Sequence, residues 1–469
     1  MEKIVIVGCG TAGIATAIEL INNGYNGKDI LMIDKGNMID KRKCFVNENT
    51  PCKKCRVCSI THGCGGTGSF SDSKLNFDPT GKVGGDMAEL MTEKEISEYL
   101  RRTYEIYKQF GIEEFQSKIY GLNHTDEAKE IINTIKNNPR LDIGECATLH
   151  LGTDNSRIIY KRMLEYLIDN GVEIKSNTEV KTIKQTNRGF LINDEIKAEK
   201  LVLALGRSGN KLVKNICENL NIKIKNGRVD IGVRVECPNE VMKKLNENFY
   251  ECKIYFQGSF NDKARMFCTN PNGFVTVESY PYYDKKIFTA NGHAYRNKQS
   301  DNTNFAILVS RSFNEDLENP LENYVYPSIN VANSLGKGSV ILQSLKDIKL
   351  NRRSTEERIK ELNINPTANV YKGDITSVIP FRALVTILEF IEELHLEGLA
   401  EGLNGENTLL YYPECKFHSN KVLIDKYGMT SNPNVYCIGD CSGHCRGLTT
   451  AFSMGIACAE NILKIVSNK

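Results

Sequence analysis

Ile4-Val5-Ile6-Val7-Gly8-Cys9-Gly10-Thr11-Ala12-Gly13 is the stretch that decides the fold. Four β-branched residues in a row fit a strand buried on both faces of a parallel sheet. From Ile14 to Asn23 the apolar residues fall at 14, 17, 18, 20 and 21, one face of a helix, and Asn22-Asn23-Gly24 stops it. Ile30-Leu31-Met32-Ile33 reads as a second buried strand, ending in Asp34, 21 residues after Gly13. Residues 1–34 thus predict a complete β-α-β unit around a GxGxxG turn. In such a turn Gly8 makes the tight bend, Gly10 lets backbone approach a pyrophosphate, and Gly13 lets helix and strand pack closely. The helix start, with Thr11 and Ala12, offers unpaired amides and a partial positive charge to phosphates. Asp34, with Lys35 beside it, is placed to take a ribose hydroxyl.

Outward from this unit, residues 36–85 are rich in Gly, Cys, Lys and Asn without a sustained period, and read as a long functional loop system. Helical patterns run over 92–110 and over 154–170, the second with Asp154 as cap and Gly171 as stop. Strands are expected at 172–184, 190–196 and 200–205, the last ending in Gly206-Arg207-Ser208-Gly209. From about residue 213 strand-like stretches (229–237, 252–257, 273–279, 305–310) alternate with Asn- and Pro-bearing turns. Residues 408–469 return to the first pattern, with strands at 422–424 and 435–438 and a helix from Leu448. The expected division is 1–212 and 408–469 for a discontinuous nucleotide-binding domain, with 213–407 inserted as an α+β substrate domain.

Composition narrows the function classes. The chain has 469 residues, 41% hydrophobic and 25% charged, the balance of an ordinary globular protein. Sixty basic against 58 acidic residues give a net charge of +2, without the basic excess that a nucleic-acid partner calls for. No apolar run approaches the ~20 residues of a membrane helix. Met1-Glu2-Lys3-Ile4-Val5 lacks the zones of a signal peptide, so a cytoplasmic location is expected.

Val435-Tyr436-Cys437-Ile438-Gly439-Asp440, then Arg446-Gly447-Leu448 and a helix, resembles the second signature of glutathione-reductase-type flavoproteins. That resemblance implies FAD, with Asp440 on the ribityl chain, Gly439 in its turn, and Gly447 and Leu448 near the flavin ring. Thr178-Glu179-Val180 resembles the strand whose backbone contacts adenine, and Leu203-Ala204-Leu205-Gly206 the strand-turn that returns to the cofactor. Gly65-Gly66-Thr67-Gly68-Ser69-Phe70-Ser71-Asp72-Ser73-Lys74-Leu75 is similar to the Gly-Gly-Ala-Gly-x-Phe-Ser-Asp-Gly-Lys-Leu loop of prokaryotic FAD-dependent dehydrogenases of unassigned substrate. Val233-Arg234-Val235-Glu236, Asn291-Gly292-His293, Asn302-Thr303-Asn304-Phe305 and Arg352-Arg353-Ser354-Thr355 agree in character. Gly66, Thr67, Gly68, Ser71 and Lys74 are therefore expected at the cofactor. Ser73 and Cys441 stand where that family has glycine. The resemblance implies an α/β fold, a Rossmann-type FAD-binding domain carrying an inserted α+β substrate domain. With no second GxGxxG unit, electrons would come from the substrate, from NAD(P)H bound transiently, or from a protein donor.

Of 16 cysteines, Cys52, Cys55, Cys58 and Cys64 crowd into one loop, with Cys44 and His62 close by. C-x2-C-x2-C suits three irons of a cubane [4Fe-4S] cluster with Cys64 as fourth ligand; zinc, free thiols and disulfides are the alternatives. Cys437, Cys441 and Cys445 form a second group: Cys437 reads as a core strand residue, and Cys441 and Cys445 as a redox dithiol, as part of a metal site or as plain thiols. His293 and His444 are candidate general acids or bases, and Arg446, Lys74 and Arg382 candidate anchors for an acidic group. The function expected is hydride or electron transfer between FAD and a small-molecule substrate, in the direction of an activated C=C or C=N bond if a cluster and a ferredoxin-like or other donor protein feed it. The rivals are a flavin–dithiol enzyme of sulfur chemistry and a non-enzymatic electron-transfer or redox-sensing flavoprotein.

Overall fold

The computed structural model describes residues 3–43, 55–71, 73–116, 119–121, 124–144, 146–227, 229–249, 252–282, 285–294, 298–311, 321–416 and 420–467. They form two compact units, residues 1–119, 146–225 and 420–469, and residues 120–145 with 226–419. The expected boundaries at 212/213 and 407/408 differ from this division, and each shift has a local reason. Leu141–Gly144 pairs antiparallel with Lys253–Gln257, which draws residues 120–145 into the second unit. Val213, Ile216 and Cys217 are buried with Leu201, Leu203 and Val435, which keeps their helix in the first.

In the first unit the chain runs β1 (Ile4–Val7), α1 (Thr11–Asn22), β2 (Ile30–Ile33), α2 (Glu93–Gln109), α3 (Thr153–Asp169), β3 (Glu173–Lys175), β4 (Lys200–Leu203), β5 (Val435–Cys437) and α4 (Leu448–Ser467). The five strands form one parallel sheet in the order β5-β4-β1-β2-β3. Its two faces are filled separately. Ile4, Ile6, Met32 and Val202 pack with α1, α3 and α4, while Val5, Val7, Leu31 and Leu203 pack with Ile216 and Leu220. Burial on both sides is why these strands read as unbroken apolar runs. Each such Val, Leu or Ile contributes roughly 1.5–3 kcal/mol of transfer free energy. The winding direction of the sheet reverses between β1 and β4, and in open parallel sheets ligands bind beyond the strand ends at that point.

Local chemistry sets the helix ends. Thr92 and Glu95 form a reciprocal capping box at the start of α2. At α3 the expected cap Asp154 is instead a first-turn residue, and Gly152 (φ +80°) precedes the helix. The expected strand 172–184 is two strands, β3 and Ile183–Thr186, with Val180 in the loop between them. α1 and α4 touch through small residues. A Cβ on Gly455 would lie 2.4 Å from the Ala12 carbonyl oxygen, and Thr16 Oγ1 donates to the Gly455 carbonyl at 3.1 Å.

The second unit is built on an eight-stranded sheet with Val229–Pro238 and Asn302–Arg311 at its centre. One face packs on the helix Phe381–Leu396, where Phe256 and Phe390 stack at 4.9 Å. The opposite face carries Arg234, Glu236, Asn304 and Glu414, polar yet fully buried, among apolar residues such as Leu308 and Leu409. Arg234 donates to Glu414 (2.9 Å) and to Asn291 (3.0 Å), and Glu236 accepts from Asn302 (3.0 Å), Thr367 and the Tyr411 hydroxyl. Three of the sequence segments singled out above thus meet in one network. Paired in this way, buried charges need not be catalytic.

Candidate functional site

The site is built from the glycine turn outward. Gly8 has φ +114°, and a Cβ there would lie 2.2 Å from the Ala204 carbonyl oxygen, so neither the conformation nor the space admits a side chain. A Cβ on Gly13 would lie 2.2 Å from the Gly8 carbonyl oxygen, which is the close strand–helix contact expected of that position. At Gly10 an added Cβ would meet only the Gly66 Cα, at 3.6 Å. Gly10 also caps α1 without any side-chain bond. The first-turn amides of the helix therefore face outward unspent.

Asp34, at the end of β2, holds backbone as well. Its carboxylate accepts the Cys9 amide (3.0 Å) and the Gly36 amide (2.8 Å), bracing the glycine turn against the end of β2. Each oxygen keeps a further lone pair, so a ribose hydroxyl can still be accepted. Lys35, beside it, is half-buried. Thr178 donates its amide to the Asp34 carbonyl at 2.9 Å, which fastens the loop bearing Val180 to the same strand end. Gly206, past β4, has φ +65° with nothing within 4 Å of an added Cβ.

The glycine-rich loop docks onto this turn. Gly65 donates its amide to the Cys9 carbonyl at 2.8 Å, and Gly66, at φ +60°, stands so close that its Cβ would lie 2.8 Å from the Gly10 Cα. A Cβ on Gly68 would touch Leu448 Cδ2 (2.8 Å), the Tyr160 hydroxyl (2.8 Å) and Thr11 Oγ1 (3.0 Å). The Gly68 carbonyl accepts from the hydroxyls of Ser71 (2.9 Å), Ser73 (2.9 Å) and Ser156 (3.0 Å). Ser73 holds φ +48°, a conformation that favours glycine, which explains the glycine of the resembling loop. Here the hydroxyl's bonds offset the strain. Thr67 is exposed, and Lys74 begins a short strand paired with the one ending at His150.

Sequence reasoning missed the centre of this loop. Arg42 is fully buried and donates to the carbonyls of Ser59 (2.9 Å), Ile60 (2.9 Å), Cys64 (2.8 Å) and Gly66 (2.9 Å), and to Ser69 Oγ (2.9 Å). Its guanidinium also lies 4.3 Å from the centroid of the Phe70 ring. Burial lowers its pKa to about 10, with Asp34 and Cys64 pulling the other way. The only sequence signal was an arginine within a loop otherwise rich in small and polar residues.

From the C-terminal part, Gly439 (φ +70°) abuts α1, its Cβ position 3.0 Å from Ala12 Cβ. Asp440 follows at the start of a single 3-10 turn. The Gly84 carbonyl takes the amides of Arg446 (2.7 Å) and Gly447 (2.6 Å) and the Thr450 hydroxyl (2.6 Å). The Gly447 amide is therefore spent on Gly84, and Leu448 is the first residue of α4 to face Gly68. The Arg446 side chain pairs with Asp86 at 3.4 Å.

Several expectations need correcting. Cys52 lies outside the described residues. Cys55 and Cys58 are exposed, whereas Cys64 is buried against Cys9, whose thiol is pushed up by its bond to Cys64 and by burial. Among the described residues no three His, Cys, Asp or Glu gather to hold a metal ion, so the expected four-cysteine ligand set, including Cys64, is not supported. Cys441 sits 4.0 Å from Cys437, and Cys445 lies 3.4 Å from the Met87 sulfur. Burial pushes the Cys445 thiol well up. His444 is buried with Nε2 at 3.1 Å from the Val422 carbonyl, and burial pushes it below the ordinary imidazole range. Its Nδ1 is buried with no hydrogen-bond partner among the described residues. His293, exposed, ends a strand of the second unit, where Arg382 pairs with Asp262 at 3.0 Å.

No protein-family profile matches the chain, and no curated protein matches it in sequence. Among solved structures it is similar to CtdE in complex with FAD, at 9% identity and a TM-score of 0.32 over 97% of this chain and 82% of that one. It is similar also to a mutant of the halogenase PltM in complex with FAD, at 12% identity and a TM-score of 0.39 over 100% of this chain and 70% of that one. A third is the L-amino acid deaminase from Proteus vulgaris, at 14% identity and a TM-score of 0.29 over 56% of this chain and 67% of that one. At scores this low the likeness carries no argument about the chemistry of this chain.

Proposed function

We propose that the first unit binds FAD and that the protein is a flavin-dependent oxidoreductase acting on a small-molecule substrate. One observation carries the reading. The starts of α1 and α4, the Gly66–Gly68 loop and the Gly439–Asp440 turn converge, and the edges that meet are glycines whose backbone is bare. A dinucleotide needs such a place, with uncapped amides for its phosphates and no side chains where the chain must pass close. The five-stranded parallel order, reversing beside Gly8, supports the Rossmann-type reading of this unit.

In this reading Thr11 and Ala12 bind the pyrophosphate through their amides, Asp34 orients the ribose, and Asp440 takes the ribityl chain. Leu448 and the Gly66–Ser71 loop exclude water from one side of the ring. Bound FAD supplies hydride or electron exchange at its isoalloxazine ring. His293, in the second unit, remains a candidate proton-handling residue. A cluster-fed donor is what favours reduction of an activated C=C or C=N bond; with Cys64 withdrawn to Cys9, dehydrogenation and reduction stand level. NAD(P)H or a ferredoxin-like protein would be the donor in the reductive direction.

The test is to release and identify the chromophore of the purified protein and to titrate the stripped protein with FAD. Stoichiometric FAD that dithionite reduces and substrate or oxygen reoxidises is expected. Protein that neither carries nor takes up flavin refutes the reading. Iron and sulfide counted on the same sample decide the cluster.

A further inference from the structure

Behind the start of α1 three hydroxyls form a chain. Thr11 Oγ1 lies 2.7 Å from the Tyr160 hydroxyl, and that hydroxyl lies 3.1 Å from the hydroxyl of Tyr107. Tyr160 comes from α3 and Tyr107 from α2, and both side chains have 0% exposure. Among the described residues Tyr160 is the one hydrogen-bond partner of the Tyr107 hydroxyl and of the Thr11 hydroxyl.

Three hydroxyls carry three protons, and two bonds between them use two. The third proton must point out of the chain. If it belonged to Tyr107 or Tyr160 it would be stranded in the core without an acceptor, a costly arrangement. Thr11 alone of the three keeps some exposure (9%), so a proton on its hydroxyl has a way out at the uncapped helix start. Burial therefore fixes the direction: Tyr107 donates to Tyr160, Tyr160 donates to Thr11, and Thr11 is left as a donor.

We propose that Tyr160 and Tyr107 are positioning residues that hold the Thr11 hydroxyl as an obligate donor to an acceptor-only group, a phosphate oxygen of the bound dinucleotide. The proposal rests on the FAD reading and deepens it. Aligned hydroxyls polarise one another, so the terminal donor is strengthened as well as oriented. Burial also pushes both phenols up, which keeps them protonated and able to donate.

The experiment is a double-mutant cycle on FAD affinity, read by quenching of flavin fluorescence on titrating stripped protein. Tyr160→Phe should weaken FAD about fivefold and Tyr107→Phe about twofold, since the second removes only the lock on direction. Thr11→Val should weaken it at least as much as Tyr160→Phe, and Thr11→Ser should restore nearly wild-type affinity. In the Thr11→Val background Tyr160→Phe should have no further effect. A relay is overturned if Tyr160→Phe leaves affinity unchanged, or if its loss persists undiminished beside Thr11→Val, as plain core packing would give. If Tyr160→Phe fails to fold, the same cycle with Tyr107→Phe decides. Wild-type protein that takes up no FAD overturns the functional reading itself, and the relay with it. FAD binding without coupling overturns the relay alone.

Discussion

Replacing Arg42 by Met should loosen the loop that covers the glycine turn while leaving the parallel sheet intact. The guanidinium serves five backbone carbonyls, that of Gly63 at 3.4 Å, and one hydroxyl, all between Ser59 and Ser69. Bonds to a charged group are worth roughly 1.5–3 kcal/mol each. Against that stands the cost of burying the cation, several kcal/mol. Loss of the donor orphans the acceptors, and water reaching some of them limits the damage, so the net cost should be about 3–5 kcal/mol. Two backbone bonds, Cys64 to Asn37 (3.0 Å) and Gly65 to Cys9 (2.8 Å), would remain as ties to the turn. Hydrogen exchange by mass spectrometry is the assay. Peptides spanning 59–71 should exchange at least ~100-fold faster, as a 3 kcal/mol shift in opening requires, while peptides of β1 and α4 hold. Arg42→Lys keeps the charge but offers one compact head in place of a fork, and should fall between. Unchanged exchange over 59–71 in Arg42→Met would refute the view that this side chain organises the loop.

Ser73→Gly should be close to neutral in urea denaturation, because relief of left-handed strain offsets the lost hydroxyl bonds; Ser73→Ala keeps the strain and should lose about 1–2 kcal/mol. Gly66→Ala places a methyl 2.8 Å from the Gly10 Cα at φ +60°, and should cut flavin retention ~5- to 30-fold, from strain of about 1–2 kcal/mol, with little change in far-UV circular dichroism. Native thiol labelling should find Cys58 faster than Cys55. Partial burial pushes the Cys58 thiol up, but the Thr61 and Ile60 amides, the Thr61 hydroxyl and the Arg42 charge hold it below the ordinary value. Equal rates would count against that account. His444, lowered by burial, stays neutral in the folded chain when the unfolded imidazole protonates near pH ~6.5. Stability should therefore fall as pH drops through ~6.5 and level off below the folded value. His444→Gln should remove that component from denaturation midpoints compared at neutral and mildly acid pH.

The β-α-β unit was legible because its signals are local: a strand run, three glycines at fixed offsets and a helix period each reflect a neighbour close in sequence. Asp34 was found for its position, but its grip on Cys9 and Gly36 was not, since a carboxylate at a strand end looks the same whether it meets ligand or backbone. The cysteine cluster was legible only as a spacing, with Cys52 outside the described residues. C-x2-C-x2-C suggests a local cluster, while the partner of Cys64 is Cys9, far away along the chain. Arg42 and the Tyr107–Tyr160 pair carried no distinguishing mark, because a buried arginine and a core tyrosine are told from ordinary ones only by what surrounds them. Ser73 was the reverse case: its departure from glycine pointed to a backbone constraint, which the positive φ makes explicit.

The contact between Thr16 and Gly455 spans 439 residues of sequence. A ribosome emitting this chain releases the glycine turn more than 400 residues before the helix that backs it. At ~5–20 residues per second, the nascent turn waits tens of seconds before Gly455 can reach Ala12. Through that interval α1 has its small-residue face bare, with nothing to hold the turn's geometry from behind. Nascent chains stalled just before residue 448 should therefore engage holding chaperones, and competence to take up cofactor should appear as a late, abrupt step in synthesis rather than a gradual one.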